Sequence, residues 1–83
     1  MDYKVISPQS LGEALRAVRK KKGMSQKEIG NSVGIDQPSI STIERGESSV
    51  RVDTLFRLLA ALDVELVIQP RHKSLNQKEG DRW

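Results

Sequence analysis

The chain has 83 residues, with 14 lysines and arginines against 11 aspartates and glutamates, a formal charge of +3 and no cysteine. A length this short allows one domain with one core, and the missing cysteines exclude a disulfide scaffold and a thiolate zinc site. A hydrophobic fraction of 36% suits a small helical chain, and no apolar run approaches the roughly 20 residues of a membrane span. No basic segment followed by an apolar stretch opens the chain, so no signal peptide is expected and a soluble cytoplasmic protein is the default. Catalysis is not expected either. The single histidine, His72, stands in a polar stretch without a partner, and neither a phosphate-cradling glycine loop nor metal-ligand spacing is present. Nothing calls for a cofactor. The charge is uneven: residues 1–34 carry seven basic and three acidic groups, and residues 35–69 carry three and six.

Residues 8–22 are predicted as the first helix. Leu11, Ala14, Leu15 and Val18 recur at helical spacing and form one apolar stripe. Ser7 followed by Pro8 is a start signal, because proline suits the first helical position. Ser10 with Glu13 offers an alternative capping box. Gly23 supplies the left-handed residue that ends the helix. A second helix is predicted over 26–33, capped by Ser25 with Glu28 three residues later. Its inward side chains are Ile29 and Val33, and Gly34 breaks it. A third follows at about 37–45, with Asp36 as N-cap, Pro38 in the first turn, Ile40 and Ile43 inward and Gly46 at the end. The fourth is predicted over 52–62. Val52, Leu55, Phe56, Leu58, Leu59 and Leu62 give it a broad apolar face, and Phe56 is assigned to the core.

The period then changes. Val64, Leu66 and Ile68 alternate with Glu65, Val67 and Gln69, which predicts a strand. A lone strand leaves backbone groups unpaired on both edges. Its partner is either Tyr3–Ile6 of the same chain or the same segment of a second copy. Pro70 stops it. The chain therefore divides into a domain over 1–69 and a polar, flexible tail over 70–83. Trp83 stands in that tail with almost no apolar company. It is left exposed, folded back on the domain, or captured in a pocket of a partner.

The second and third helices are joined by a very short turn at Gly34, a helix-turn-helix arrangement. Its internal spacing is consistent. Gly30 gives a small residue where the two helices cross, Gly34 four residues later supplies a positive φ, and Ile40 six residues further sends an apolar side chain between the helices. Ile29, Val33, Ile35 and Ile43 fill the remaining inward positions.

The stretch Ser25-Gln26-Lys27-Glu28-Ile29-Gly30, followed by Gly34-Ile35-Asp36-Gln37-Pro38-Ser39-Ile40-Ser41-Thr42-Ile43-Glu44-Arg45-Gly46, resembles the Cro/C1-type (XRE) helix-turn-helix family of phage repressors. The likeness covers about residues 8–64. Within that family the chain is most similar to HipB-type antitoxins, through Ser7-Pro8, the strand-like Val64–Gln69 and the polar tail ending in Trp83. The resemblance implies an all-α, four- to five-helix, lambda-repressor-like DNA-binding domain with a short C-terminal strand that pairs in a dimer. It also implies a transcriptional repressor without enzymatic activity that binds double-stranded operator DNA, partners a HipA-type kinase toxin and represses its own operon.

The resemblance further implies site residues. With the third helix in the major groove, residues at its exposed N-terminal end reach base edges. Gln37 offers a bidentate amide to adenine, Pro38 an apolar surface for a thymine methyl, and Ser41 a hydroxyl one turn on. Ser39 and Thr42 are placed as phosphate or sugar donors. Gln26 and Lys27 open the second helix, whose N-terminus favours a phosphate, and Arg45 clamps the backbone. Arg19 stands where the family pairs it with Glu44 in a structural salt bridge. Lys20, Lys21 and Lys22 complement the dipole of the first helix or add to the field near DNA. Val64, Leu66, Val67 and Ile68 are the dimer strand, and Trp83 is the toxin anchor. Two positions depart from the pattern: Pro38 replaces a polar reader, and Asp36 sets a negative charge near the phosphates. Rival readings are a plain XRE-family regulator without a toxin and a protein-interaction module on the same scaffold.

Overall fold

The computed structural model describes residues 2–71. The region from His72 onward, including Trp83, lies outside the described residues.

Local sequence chemistry sets where each helix starts and stops. Helix α1 (Pro8–Lys21) is capped by Ser7, whose hydroxyl accepts from the Ser10 amide at 3.0 Å. The Ser10 hydroxyl answers by accepting from the Ser7 amide at 3.0 Å and from Ile6 at 2.8 Å. Ser10 is thus the third helical residue and takes the part that a glutamate usually plays in a capping box. The alternative start at Ser10 with Glu13 is not used. Helix α2 (Gln26–Val33) opens on the reciprocal Ser25–Glu28 box, with bonds of 3.0 and 2.8 Å. Helix α3 (Gln37–Glu44) is capped by Asp36, whose carboxylate accepts from the Ser39 amide at 3.0 Å. Between them Gly34 adopts φ 75°, a conformation that would strain any residue with a Cβ. Helix α4 (Val52–Ala61) has no side-chain cap from Arg51. Asp53 in its first turn favours the dipole instead.

These helices share one core. Leu15 of α1, Ile29 and Val33 of α2, Ile40 and Ile43 of α3, and Leu58, Leu59 and Leu62 at and beyond the end of α4 are buried. Leu11, Val18, Met24, Ile35, Val50 and Leu55 close its margin. Helix α3 is held on one side by α1 and on the other by α2, while α2 also packs on α4. Two glycines permit this. A Cβ on Gly30 would press on the Ile35 carbonyl and sit 3.4 Å from the Ile40 side chain. A Cβ on Gly12 would collide with the Glu44 carbonyl and come within 2.6 Å of the Ile43 carbonyl oxygen. The backbone of α1 therefore lies directly against the last turn of α3.

Two expectations change. Phe56 is not a core residue: it is 55% exposed, and Val52, one turn earlier, is 65% exposed. The apolar face of α4 is wider than one small chain can cover, and α2 shields only the part carrying Leu55, Leu58, Leu59 and Leu62. Residues 64–69 form no strand in the single chain, and no backbone hydrogen bond joins them to residues 3–6. The intrachain pairing is therefore not made. Val64, Leu66, Val67 and Ile68 all remain exposed, Ile68 at 92%.

The Gly12 contact yields a test with a definite sign. At an unhindered helix position glycine to alanine gains up to about 1 kcal/mol. At Gly12 the new methyl meets backbone, which cannot rotate away. Gly12→Ala is expected to lose about 1–3 kcal/mol in urea denaturation.

Candidate nucleic-acid interface

The exposed side of the α2–turn–α3 unit carries the polar residues singled out in the sequence. Its geometry is governed from beneath by a buried ion pair. Arg19 of α1 donates from Nε to Glu44 Oε2 at 2.7 Å and from Nη2 to Glu44 Oε1 at 2.9 Å. A third donor, Nη1, reaches the Met24 carbonyl at 2.8 Å. The two side chains are 8% and 5% exposed, so a planar fork meets a carboxylate with almost no water between them. Among the described residues no buried side-chain nitrogen or oxygen lacks a hydrogen-bond partner.

The network does not stop at the pair. Gln26, the first residue of α2, donates from Nε2 to Glu44 Oε1 at 3.0 Å. Its Oε1 accepts from Nε2 of Gln37, the first residue of α3, at 2.7 Å. The amide of Gln37 is therefore tied through Gln26 to the ion pair, although Gln37 itself is exposed. One of its two N–H groups is engaged, which leaves the other N–H and Oε1 free. That donor-and-acceptor edge matches N7 and N6 of adenine.

The other candidates lie around this centre. Pro38 and Ser39 are exposed on the first turn of α3, and Lys27 is exposed on the first turn of α2. Thr42 is half-buried and donates its hydroxyl to the Pro38 carbonyl at 2.9 Å, so giving a proton to a phosphate requires that bond to open. Ser41 accepts from Arg45 Nη1 and retains its own O–H as a donor. Arg45 Nε also meets Glu47 at 3.1 Å on the surface, which ties its guanidinium near the end of α3. Ser39 and Thr42 share a shallow groove with Ser48, Ser49, Arg51 and Thr54. Sequence reasoning did not single out this groove, where Arg51 is paired with Asp53 at 3.3 Å. It also missed the link from Gln26 to Glu44, because residues 18 apart show no spacing rule until the helices are packed.

Electrostatics reinforces the arrangement. Burial pushes the Glu44 carboxyl up, but the Arg19 and Gln26 hydrogen bonds and the Arg19 and Arg16 charges outweigh it, so Glu44 is held below the usual carboxylate range. The Glu44 hydrogen bond raises Arg19 above its ordinary value. Asp36 is lowered by its bonds to Ser39, which keeps the cap of α3 charged. Among the described residues no cluster of histidine, cysteine, aspartate or glutamate is placed to hold a metal ion. No helix there is long and apolar enough to cross a membrane.

Comparison with known proteins agrees with the fold. The profile of the helix-turn-helix family matches residues 15–69. Antitoxin HipB of Escherichia coli strain K12 is 31% identical over 65 residues, which are 78% of this chain and 74% of that protein. A chain in the solved HipA-HipB-O2-O3 complex superposes with a TM-score of 0.73 at 29% identity, covering 83% of this chain and 97% of the other. The restriction-modification controller protein C.AhdI from Aeromonas hydrophila gives a TM-score of 0.67 at 33% identity, over 70% of this chain and 84% of its own.

The lowered Glu44 carboxyl sets a pH dependence. The unfolded chain, with ordinary carboxyl groups near about 4.3, binds protons before the folded one does. The contribution of Glu44 is therefore fully present above that range and is lost as pH falls through its lower folded value. Asp36 acts with the same sign. Denaturation midpoints should fall on acidification in that window. Glu44→Gln should flatten the slope and lower stability at neutral pH by about 3–5 kcal/mol, the cost of leaving a buried charge unpaired.

Proposed function

The chain belongs to the helix-turn-helix family, and on that footing we propose that it is a sequence-specific DNA-binding repressor and the antitoxin partner of a HipA-type kinase toxin. The observation that carries the DNA-reading part is the Gln37 amide, exposed at the start of α3 and pinned by Gln26. In this reading α3 lies in the major groove. Gln37, Pro38 and Ser41 face base edges, and Gln26, Lys27, Ser39, Thr42 and Arg45 hold phosphates. The protein acts by occupying a promoter, its own operon included, and catalyses no reaction. Its place of work is the cytoplasm. The toxin role is supported by the 31% identity to HipB across most of both chains and by the likeness to a chain solved together with HipA. Trp83, outside the described residues, is the proposed anchor on that toxin.

The active form in this reading is a homodimer. Its support is the apolar surface that one chain leaves open: Val52 and Phe56 on α4, with Val64, Leu66, Val67 and Ile68 beyond it. A strand made by residues 64–69 of both copies satisfies backbone groups that have no partner in one chain. The likeness to a restriction-modification controller protein favours a second reading, a regulator without a toxin. Co-purification from the native operon separates the two, since only the first brings down a HipA-like protein.

Gln37→Ala is expected to cost about 1–3 kcal/mol on the selected site and little on random duplex in a binding titration. Equal loss on both removes Gln37 from base reading. Val67→Pro is expected to shift the chain toward monomer in analytical ultracentrifugation, because a strand centre cannot lose its donor. A wild type that is monomeric at all concentrations overturns the paired-strand dimer.

A further inference from the structure

We propose that Arg57 of α4, through its hold on the end of α2, fixes the spacing between the two DNA half-sites that the dimer accepts. This rests on the dimeric repressor reading above and adds the residue that sets its geometry.

A helix leaves its last four carbonyls without a donor of its own. At the end of α2 the Gly34 turn sends the Gly34 and Ile35 amides to one oxygen, the Gly30 carbonyl. The last turn of α2 also has no basic residue to complement its dipole. Both needs are met from another helix. Arg57 Nη1 donates to the Val33 carbonyl at 3.0 Å, and Nη2 lies 3.5 Å from Thr54 Oγ1, one turn earlier on α4. A cation that bonds a terminal carbonyl stabilises a helix end by charge as well as by the bond.

The place of this bond gives it leverage. Helix α4 meets the other helices mainly through α2, and α2 in turn carries α3. The remaining contact between α4 and α2 is apolar, with Leu58, Leu59 and Leu62 against Ile29 and Val33 in the core. Apolar burial has no preferred direction, whereas a charged N–H on a carbonyl has a set length and angle. Among the described residues it is the only hydrogen bond from α4 to the α2–turn–α3 unit. In the dimer reading Phe56 faces the second copy, and Arg57 follows it about 100° further round the helix. One turn of α4 thus meets the partner with one side chain and α2 with the next. The separation and twist between the two α3 helices pass through this joint twice, once in each copy. Adding one base pair shifts a half-site by about 3.4 Å and about 35°. A stiff joint rejects that step, and a loose one follows it. Arg57 is a positioning residue that acts through α2.

Arg57→Met keeps an unbranched apolar stem and loses every donor. Arg57→Lys keeps the charge and one donor group. Selection from a randomised duplex pool with the full chain gives the preferred half-site and spacing. Affinities are then measured on that duplex and on duplexes one base pair shorter and longer, with sedimentation to count chains and thermal melting to follow stability. Wild type is expected to bind the preferred spacing about tenfold more tightly than either neighbour, the scale of one hydrogen bond to a charged group. Arg57→Met is expected to remain a dimer and to bind all three spacings within about threefold of one another, the scale left by ordinary weak contacts. Arg57→Lys is expected to restore most of the wild-type ratio. Should Arg57→Met not fold, Arg57→Gln, neutral, shorter and still polar, reads the same ratio. A merely structural role lowers the melting temperature and weakens all three duplexes alike. Such a uniform loss, a wild-type ratio in the variants, or a wild type indifferent to spacing overturns the inference while leaving the repressor reading intact. A wild type that has no sequence preference or stays monomeric at all concentrations overturns the dimeric repressor reading, and this inference with it.

Discussion

The ion pair between Arg19 and Glu44 is the constraint on which the rest of the molecule is arranged. It joins the end of α1 to the end of α3 and, through the Met24 carbonyl, also holds the loop leading into α2. Two buried charges are not a cheap source of stability, because the cost of removing them from water roughly cancels their attraction. What they provide is uniqueness. An apolar contact at this place tolerates sliding and rotation, whereas a forked guanidinium on a carboxylate accepts one geometry. Helix α3 is therefore held at a single angle to the domain beneath it.

The glycines serve the same end by a different route. Gly12 brings α1 onto the carbonyls of Ile43 and Glu44, and Gly30 lets the Ile35 backbone close over α2. Distances this short leave no room for a side chain to relax. The domain is held by backbone-to-backbone proximity at its centre and by the buried pair at its edge. The apolar core, eight of the described residues, fills the space between. The exposed elements gain rigidity from this without large side chains of their own, which matters for short helices such as α2 and α3.

Much of this was legible in the sequence because the signals are local. Ser25 with Glu28, Asp36 before Pro38, and glycines at 23, 34 and 46 marked the helix ends to within a residue, since caps and left-handed turns are decided by neighbours. The Ser7 start competed with Ser10, and only the folded chain shows the two serines capping one another. Burial was less legible. Phe56 has the composition of a core residue, but whether it is covered depends on how far α2 extends across α4, which no periodicity reports. Residues 64–69 alternate as a strand should, yet a strand needs a neighbour, and a neighbour is not written into the segment itself. The candidate site was half-visible: polar residue types at the start of α3 suggested an open surface, and Gln37, Pro38 and Ser39 are exposed there. The path from Gln37 through Gln26 to Glu44 exists only once three helices meet.

The apolar surface on α4 and along residues 64–68 has a thermodynamic consequence. A chain that leaves Phe56, Val67 and Ile68 in water folds with less burial than its length allows. If a second copy covers that surface, part of the folding free energy becomes an association term and obeys mass action. Resistance to unfolding then rises with concentration. Dilute chains are the fragile ones, and lowering the amount of protein hastens the loss of what remains. The abundance of the protein and its durability become one variable.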